Sequence, residues 1–150
     1  MKQQRGFTYL AVLMAIALMG LGLAAAGTSW QLQSRREKER DLLDAGHELR
    51  AALVRYYKAS PTKPYQYPRQ LEELIQDPRY PFLRRHLRSI PRDPFTGRPE
   101  WGLIRGPSGE IIGVHSLARD TPLKRSGFIP EEKNFEKAAT YRDWQFIRPL

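Results

Sequence analysis

Residues 7–34 carry no charged side chain, and this constrains the fold more than any other feature of the 150-residue chain. The first twenty residues of that run, 7–26, would make a helix about 30 Å long at about 1.5 Å per residue, the thickness of a bilayer's hydrocarbon core. That length predicts a transmembrane helix. A short basic stub with Lys2 and Arg5 precedes it, and such charges favour holding the leading end on the cytoplasmic side. A secretory signal places its small-residue cleavage site after the apolar core. Here the small residue beside a charge, Gly6, lies before the core, so cutting between Gly6 and Phe7 would leave the apolar helix on the mature chain.

The helix is expected to continue beyond the uncharged run. No proline occurs between residues 35 and 58, and Leu42, Ala45, Leu49, Leu53 and Tyr56 fall at spacings of three and four, with Ala52 beside them. Such spacing puts one apolar stripe on one face. The expected fold is therefore α+β: a long N-terminal helix, transmembrane in its first half and amphipathic in its second, packed on a small antiparallel sheet. Pro61 and Pro64 break the helix. A short helix is predicted over residues 69–76, ended by Asp77-Pro78, and a further turn over 82–87. Residues 101–105 and 110–116 read as a hairpin around Gly106-Pro107-Ser108-Gly109, and Ile111, Ile112 and Val114 suit a half-buried strand. A short helix after Pro130 and a last strand over 144–147 complete the expected order.

Composition narrows the chemistry. There are no cysteines and three histidines, and the formal charge is +9. Arg35, Arg36, Lys38 and Arg40 alternate with Glu37, Glu39 and Asp41, the pattern of a solvated helix surface. Arg84, Arg85, Arg88 and Arg92 form a cluster with no acid between them. Nucleic acid is not the expected partner. His47, His86 and His115 lie far apart without HExxH or cysteine partners, so no metal and no cofactor is expected. Ser116 beside His115 lacks a nucleophile elbow, and no enzyme activity is expected. Asp93-Pro94 reads as a turn whose aspartate bonds its own backbone, Trp101 and Trp144 as core, and Glu72, Glu73 and Asp77 as an acidic surface patch.

The Arg5-Gly6-Phe7-Thr8-Tyr9-Leu10 junction followed by the apolar run resembles the N-terminus of type IV pilin-like proteins, including the pseudopilins of type II secretion systems. The resemblance extends through Tyr56-Tyr57, Tyr67-Pro68, the Leu71 to Ile75 segment, Ile90-Pro91-Arg92-Asp93-Pro94-Phe95-Thr96-Gly97 and the tryptophan-led hairpin. There it is most similar to the major pseudopilins. It implies a prepilin leader, 1–6, a transmembrane and assembly helix, 7–30, and a periplasmic globular domain, 31–150. It also implies cleavage between Gly6 and Phe7 by a prepilin peptidase, N-methylation of Phe7, and packing through Phe7, Leu10, Ala11, Leu13 and Leu18. The implied partners are other pilin-like subunits and an inner-membrane assembly platform. The implied location is the bacterial inner membrane, single-pass, with the globular domain in the periplasm. The implied role is a structural subunit of a secretion pseudopilus; a minor pilin of a type IV pilus and an uncleaved single-pass membrane-anchored binding protein are the alternatives. The chain departs from the family at two points. Ala11 stands where most members carry a glutamate, and residues 118–128 hold one acid, Asp120, where major pseudopilins have an aspartate-rich calcium loop.

Overall fold

A computed structural model describes residues 5–148, and the side chains of 8–20 and 30–148. The chain divides into two compact units, Met1–Glu37 and Lys38–Leu150. Helix α1, Arg5–Lys58, supplies residues to both.

In the first unit every described side chain from 8 to 20 is exposed. Among the described residues no helix is long and apolar enough to cross a membrane. This corrects the expected fold class, a pilin-like α+β fold whose long N-terminal helix is transmembrane in its first half. It equally corrects the expected single-pass location in a bacterial inner membrane.

The second unit is an α+β arrangement built on the stripe of α1. Leu42, Leu49, Ala52 and Leu53 are completely buried, and Ala45 and Tyr56 nearly so. They share one core with Trp101, Ile111, Val114, Trp144 and Phe146. Gly46 makes the approach possible, because a Cβ there would collide with the ring of Phe146. Arg55 and Lys58 occupy the last turn, where cations complement the negative end of the helix dipole. The turn tightens as Ser60 N–H donates to Tyr57 O at 3.1 Å, and Pro61 then forbids continuation because the residue before a proline avoids the helical region.

Three strands form one antiparallel sheet in the order β1-β2-β3. β1, Gly102–Arg105, pairs with β2, Ile111–His115, placing Leu103 opposite Val114, with an irregularity between Ile104 and Arg105. β3, Gln145–Ile147, pairs with β2 and sets Phe146 opposite Val114. The hairpin turns at Gly109, whose φ of 81° is readily adopted by glycine alone. Three 3-10 helices, Leu71–Leu74, Pro130–Lys137 and Tyr141–Asp143, fill the remaining order. The helix expected over 69–76 is therefore one 3-10 turn, closed at its start by reciprocal bonds between Gln70 and Glu73. Residues 82–87 form no helical turn; His86 and Leu87 instead donate their backbone N–H groups to Leu74 O at 2.8 and 2.9 Å. Aromatic rings close the C-terminal side, with Phe135 stacked on Trp144 at 5.5 Å and edge-on to Phe146 at 5.3 Å.

Candidate assembly surfaces

The residues expected to drive assembly lie in the first unit. Tyr9, Leu10, Val12, Leu13, Met14, Ile16, Leu18 and Met19 are 46–70% exposed, and Ala11 is exposed with them. Trp30 is 81% exposed and Leu32 about half exposed further along α1. This is a continuous stretch of exposed apolar side chains rather than scattered single ones. The side chain of Phe7 and the environment of the Gly6-Phe7 junction lie outside the described residues, as do residues 1–4 of the leader.

In the second unit the buried charged side chains hold the fold. Asp77 is buried and receives two bonds from the Arg79 guanidinium, Nε to Oδ1 at 2.8 Å and Nη2 to Oδ2 at 2.6 Å. His86 Nε2 lies 3.0 Å from the same Oδ2. Burial alone would raise the Asp77 carboxyl, but the bonds from Arg79 and His86 outweigh it and bring it down to about 2. Arg79 also donates to Tyr56 O at 2.8 Å and to Ser60 Oγ at 2.7 Å, and its guanidinium lies 3.6 Å from the centre of the Tyr56 ring. Tyr56 in turn donates to Glu73 Oε2 at 2.6 Å. Burial first, and then this bond, pushes the Tyr56 hydroxyl well above the ordinary phenol range. The network ties the end of α1 to residues 69–87.

Two further carboxylates act in the same way. Buried Glu39 accepts from Leu123 N at 2.5 Å, Lys124 N at 3.1 Å and the Tyr141 hydroxyl at 3.0 Å, fixing residues 118–125 against α1. Buried Glu132 meets His47 at 2.7 Å and Arg50 at 2.9 Å, fixing the Pro130–Lys137 turn. Arg50 also lines a cavity of about 560 Å³ with Phe135, Gln145, Ile147 and Arg148.

The three histidines go to three different partners: His47 to Glu132, His86 to Asp77, and His115 to the backbone oxygen of Ser116. Among the described residues no group of three histidine or acidic side chains is placed to hold a metal ion. The Ser116 hydroxyl is buried and donates to Asp93 Oδ2 at 2.6 Å. Asp93 Oδ1 accepts from Phe95 N at 2.8 Å, so the aspartate closes its own turn and also anchors β2. Trp101 and Trp144 are buried in the core.

One reading of the acidic patch is corrected. Glu72 is exposed, Glu73 is half-buried against Tyr56, and Asp77 is interior. Sequence reasoning also placed Glu39 on a solvated face and read Glu132 only as an acid in the first turn of the short helix after Pro130. Their partners stand 84 and 85 residues away along the chain, beyond any local pattern. The available local signal was the Asp77-x-Arg79 spacing, which permits the fork of a guanidinium to close on the carboxylate two residues before it. No protein-family model, curated protein or solved structure matches the chain.

Proposed function

We propose that this protein is a non-catalytic structural subunit of a secretion fibre of the type II pseudopilus kind, assembling with copies of itself or with related pilin-like subunits through residues 8–20 of α1. The observation that carries the reading is the exposed apolar stretch itself, directly after the Gly6-Phe7 junction. Burial gives about 1.5–3 kcal/mol for each large aliphatic side chain. Several together therefore match the roughly 4–15 kcal/mol of freedom lost on association. Leu10, Leu13 and Leu18 would supply the packing and Ala11 a close approach. Head-to-tail contacts that do not close produce a fibre rather than a ring. In this reading a prepilin peptidase removes residues 1–6, and an assembly platform adds subunits to the growing end.

Intact mass of the chain recovered from cells that make it, together with electron microscopy of the same preparation, tests the proposal. Loss of residues 1–6, a methyl group on Phe7, and fibres that disappear in Leu13→Arg are expected. A chain that keeps its leader and forms no fibres would be an uncleaved binding protein instead, and the proposal would fall.

A further inference from the structure

Among the described residues of the second unit the most exposed large apolar pair is Phe82-Leu83, at 62% and 59%. Both sit on a stretch that is held firmly. Asp77 N–H donates to Arg84 O at 3.0 Å, His86 N–H to Leu74 O at 2.8 Å, and the Tyr80 hydroxyl to Ala59 O. Tyr80 packs on Phe82 at 5.4 Å and carries the Arg84 guanidinium over its ring at 4.4 Å. Arg85 and Arg88 follow, both exposed, and among the described residues neither has a hydrogen bond or ion pair. The result is an exposed apolar tip followed along the chain by two exposed guanidinium groups without a partner among the described residues. A guanidinium presents a planar fork that fits a carboxylate bidentately.

The complementary shape lies on the same chain. Gln70, Glu72, Glu73, Ile75, Gln76 and Pro78 line an open groove of about 560 Å³. Ile75 and Pro78 give it an apolar floor, and exposed Glu72 gives it a carboxylate with no partner among the described residues. Glu73 is already engaged by Tyr56 and by the Arg69 and Gln70 N–H groups, so it adds negative potential without being free to move.

We infer that the Phe82-Leu83 tip of one subunit seats in the Gln70–Pro78 groove of a second copy, with Arg85 or Arg88 meeting Glu72. Charge and shape favour this occupant. The tip is exposed, apolar and followed by basic residues; the groove is lined by Ile75, Pro78 and two glutamates, and every copy carries both. A contact between unlike patches leaves a free tip at one end and a free groove at the other, so it propagates. The inference deepens the assembly reading and rests on it, because it supplies a second contact between subunits besides the one through α1.

The absence of native cysteine permits a clean test on the full chain. One preparation carries Leu83→Cys and the other Gln76→Cys; they are mixed, oxidised and resolved by size, and the same samples are pelleted to score fibres. A mixed cross-link about tenfold stronger than in either variant alone is expected. Arg85→Glu with Arg88→Glu should remove it, since like charges set against each other repel, and Glu72→Arg in the other copy should restore it. Fibres that pellet without the mixed cross-link, or with one indifferent to the arginine reversal, overturn the tip-in-groove contact alone. A mixed cross-link in samples that never pellet overturns the fibre reading alone, and loss of both signals overturns both. Vesicles of phosphatidylglycerol that capture the chain through Phe82 and compete away the cross-link would assign the tip to an anionic lipid surface, against the inference.

Discussion

Two stretches of the same helix treat similar side chains in opposite ways. Leu10, Leu13 and Leu18 of α1 lie at least 46% exposed, whereas Leu42, Leu49 and Leu53 are wholly buried. The difference is in the pattern. Residues 42–56 carry their apolar side chains on one stripe with charges around it, so a single sheet and its aromatic residues satisfy them. Residues 8–20 are apolar on all sides, which no one packed surface can cover. The second stretch therefore completes a domain, and the first stays an exposed apolar surface.

Four experiments sharpen or break that contrast. The largest expected effect falls on the network that ties α1 to residues 69–87. Asp77→Asn removes the charge that Arg79 and His86 surround, and breaking a buried ion pair from one side costs about 3–5 kcal/mol. Urea unfolding should show the loss, and a midpoint equal to wild type would mean the network contributes nothing. Next comes Leu49→Ala, which leaves a cavity in the core and is expected to cost about 2–5 kcal/mol in the same titration.

A smaller effect should appear on acidification. Folding lowers the Asp77 carboxyl from 3.8 to about 2, so the folded state gains stability from the ionised form. That contribution is complete above about pH 4 and is lost as the pH falls from 3.8 towards 2. At about 1.4 kcal/mol per unit it amounts to about 2 kcal/mol. Stability measured between pH 5 and pH 2 should fall in wild type, and Asp77→Asn should lack this component; parallel curves would refute the assignment. The smallest expected effect is that of Leu13→Ala, the same chemical change as Leu49→Ala made in the other stretch. It should alter unfolding by less than about 0.5 kcal/mol, and a loss comparable to that of Leu49→Ala would show residues 8–20 to be part of a folded core.

How far the sequence could be read depended on the range of each interaction. The 42–56 stripe was legible because spacings of three and four repeat over four turns. The hairpin was legible because Gly106-Pro107-Ser108-Gly109 separates two short apolar runs, the second of them β-branched, and β1 and β2 fall within a residue or two of the expected bounds. Apolar length alone was misleading. The uncharged run of 7–34 counts as a span by composition, yet among the described residues no helix is long and apolar enough to cross a membrane. The buried carboxylates were illegible for a different reason. Glu39 and Glu132 look like surface residues in any local window, and their contacts close loops of more than eighty residues; for Asp77 the spacing to Arg79 was the one local sign. The Phe82-Leu83 tip was hidden as well, since a helical turn expected there would have tucked one of the two side chains away.

The central claim is that residues 8–20 of α1 form a contact surface between subunits. Its most direct test is electron microscopy and high-speed pelleting of the full chain beside Leu10→Arg and Leu13→Arg, with unfolding curves recorded for each. Fibres are expected from the unaltered chain and from neither variant, with unfolding midpoints that agree across all three when each is measured unassembled. Fibres of unchanged length and abundance from both arginine variants would contradict it.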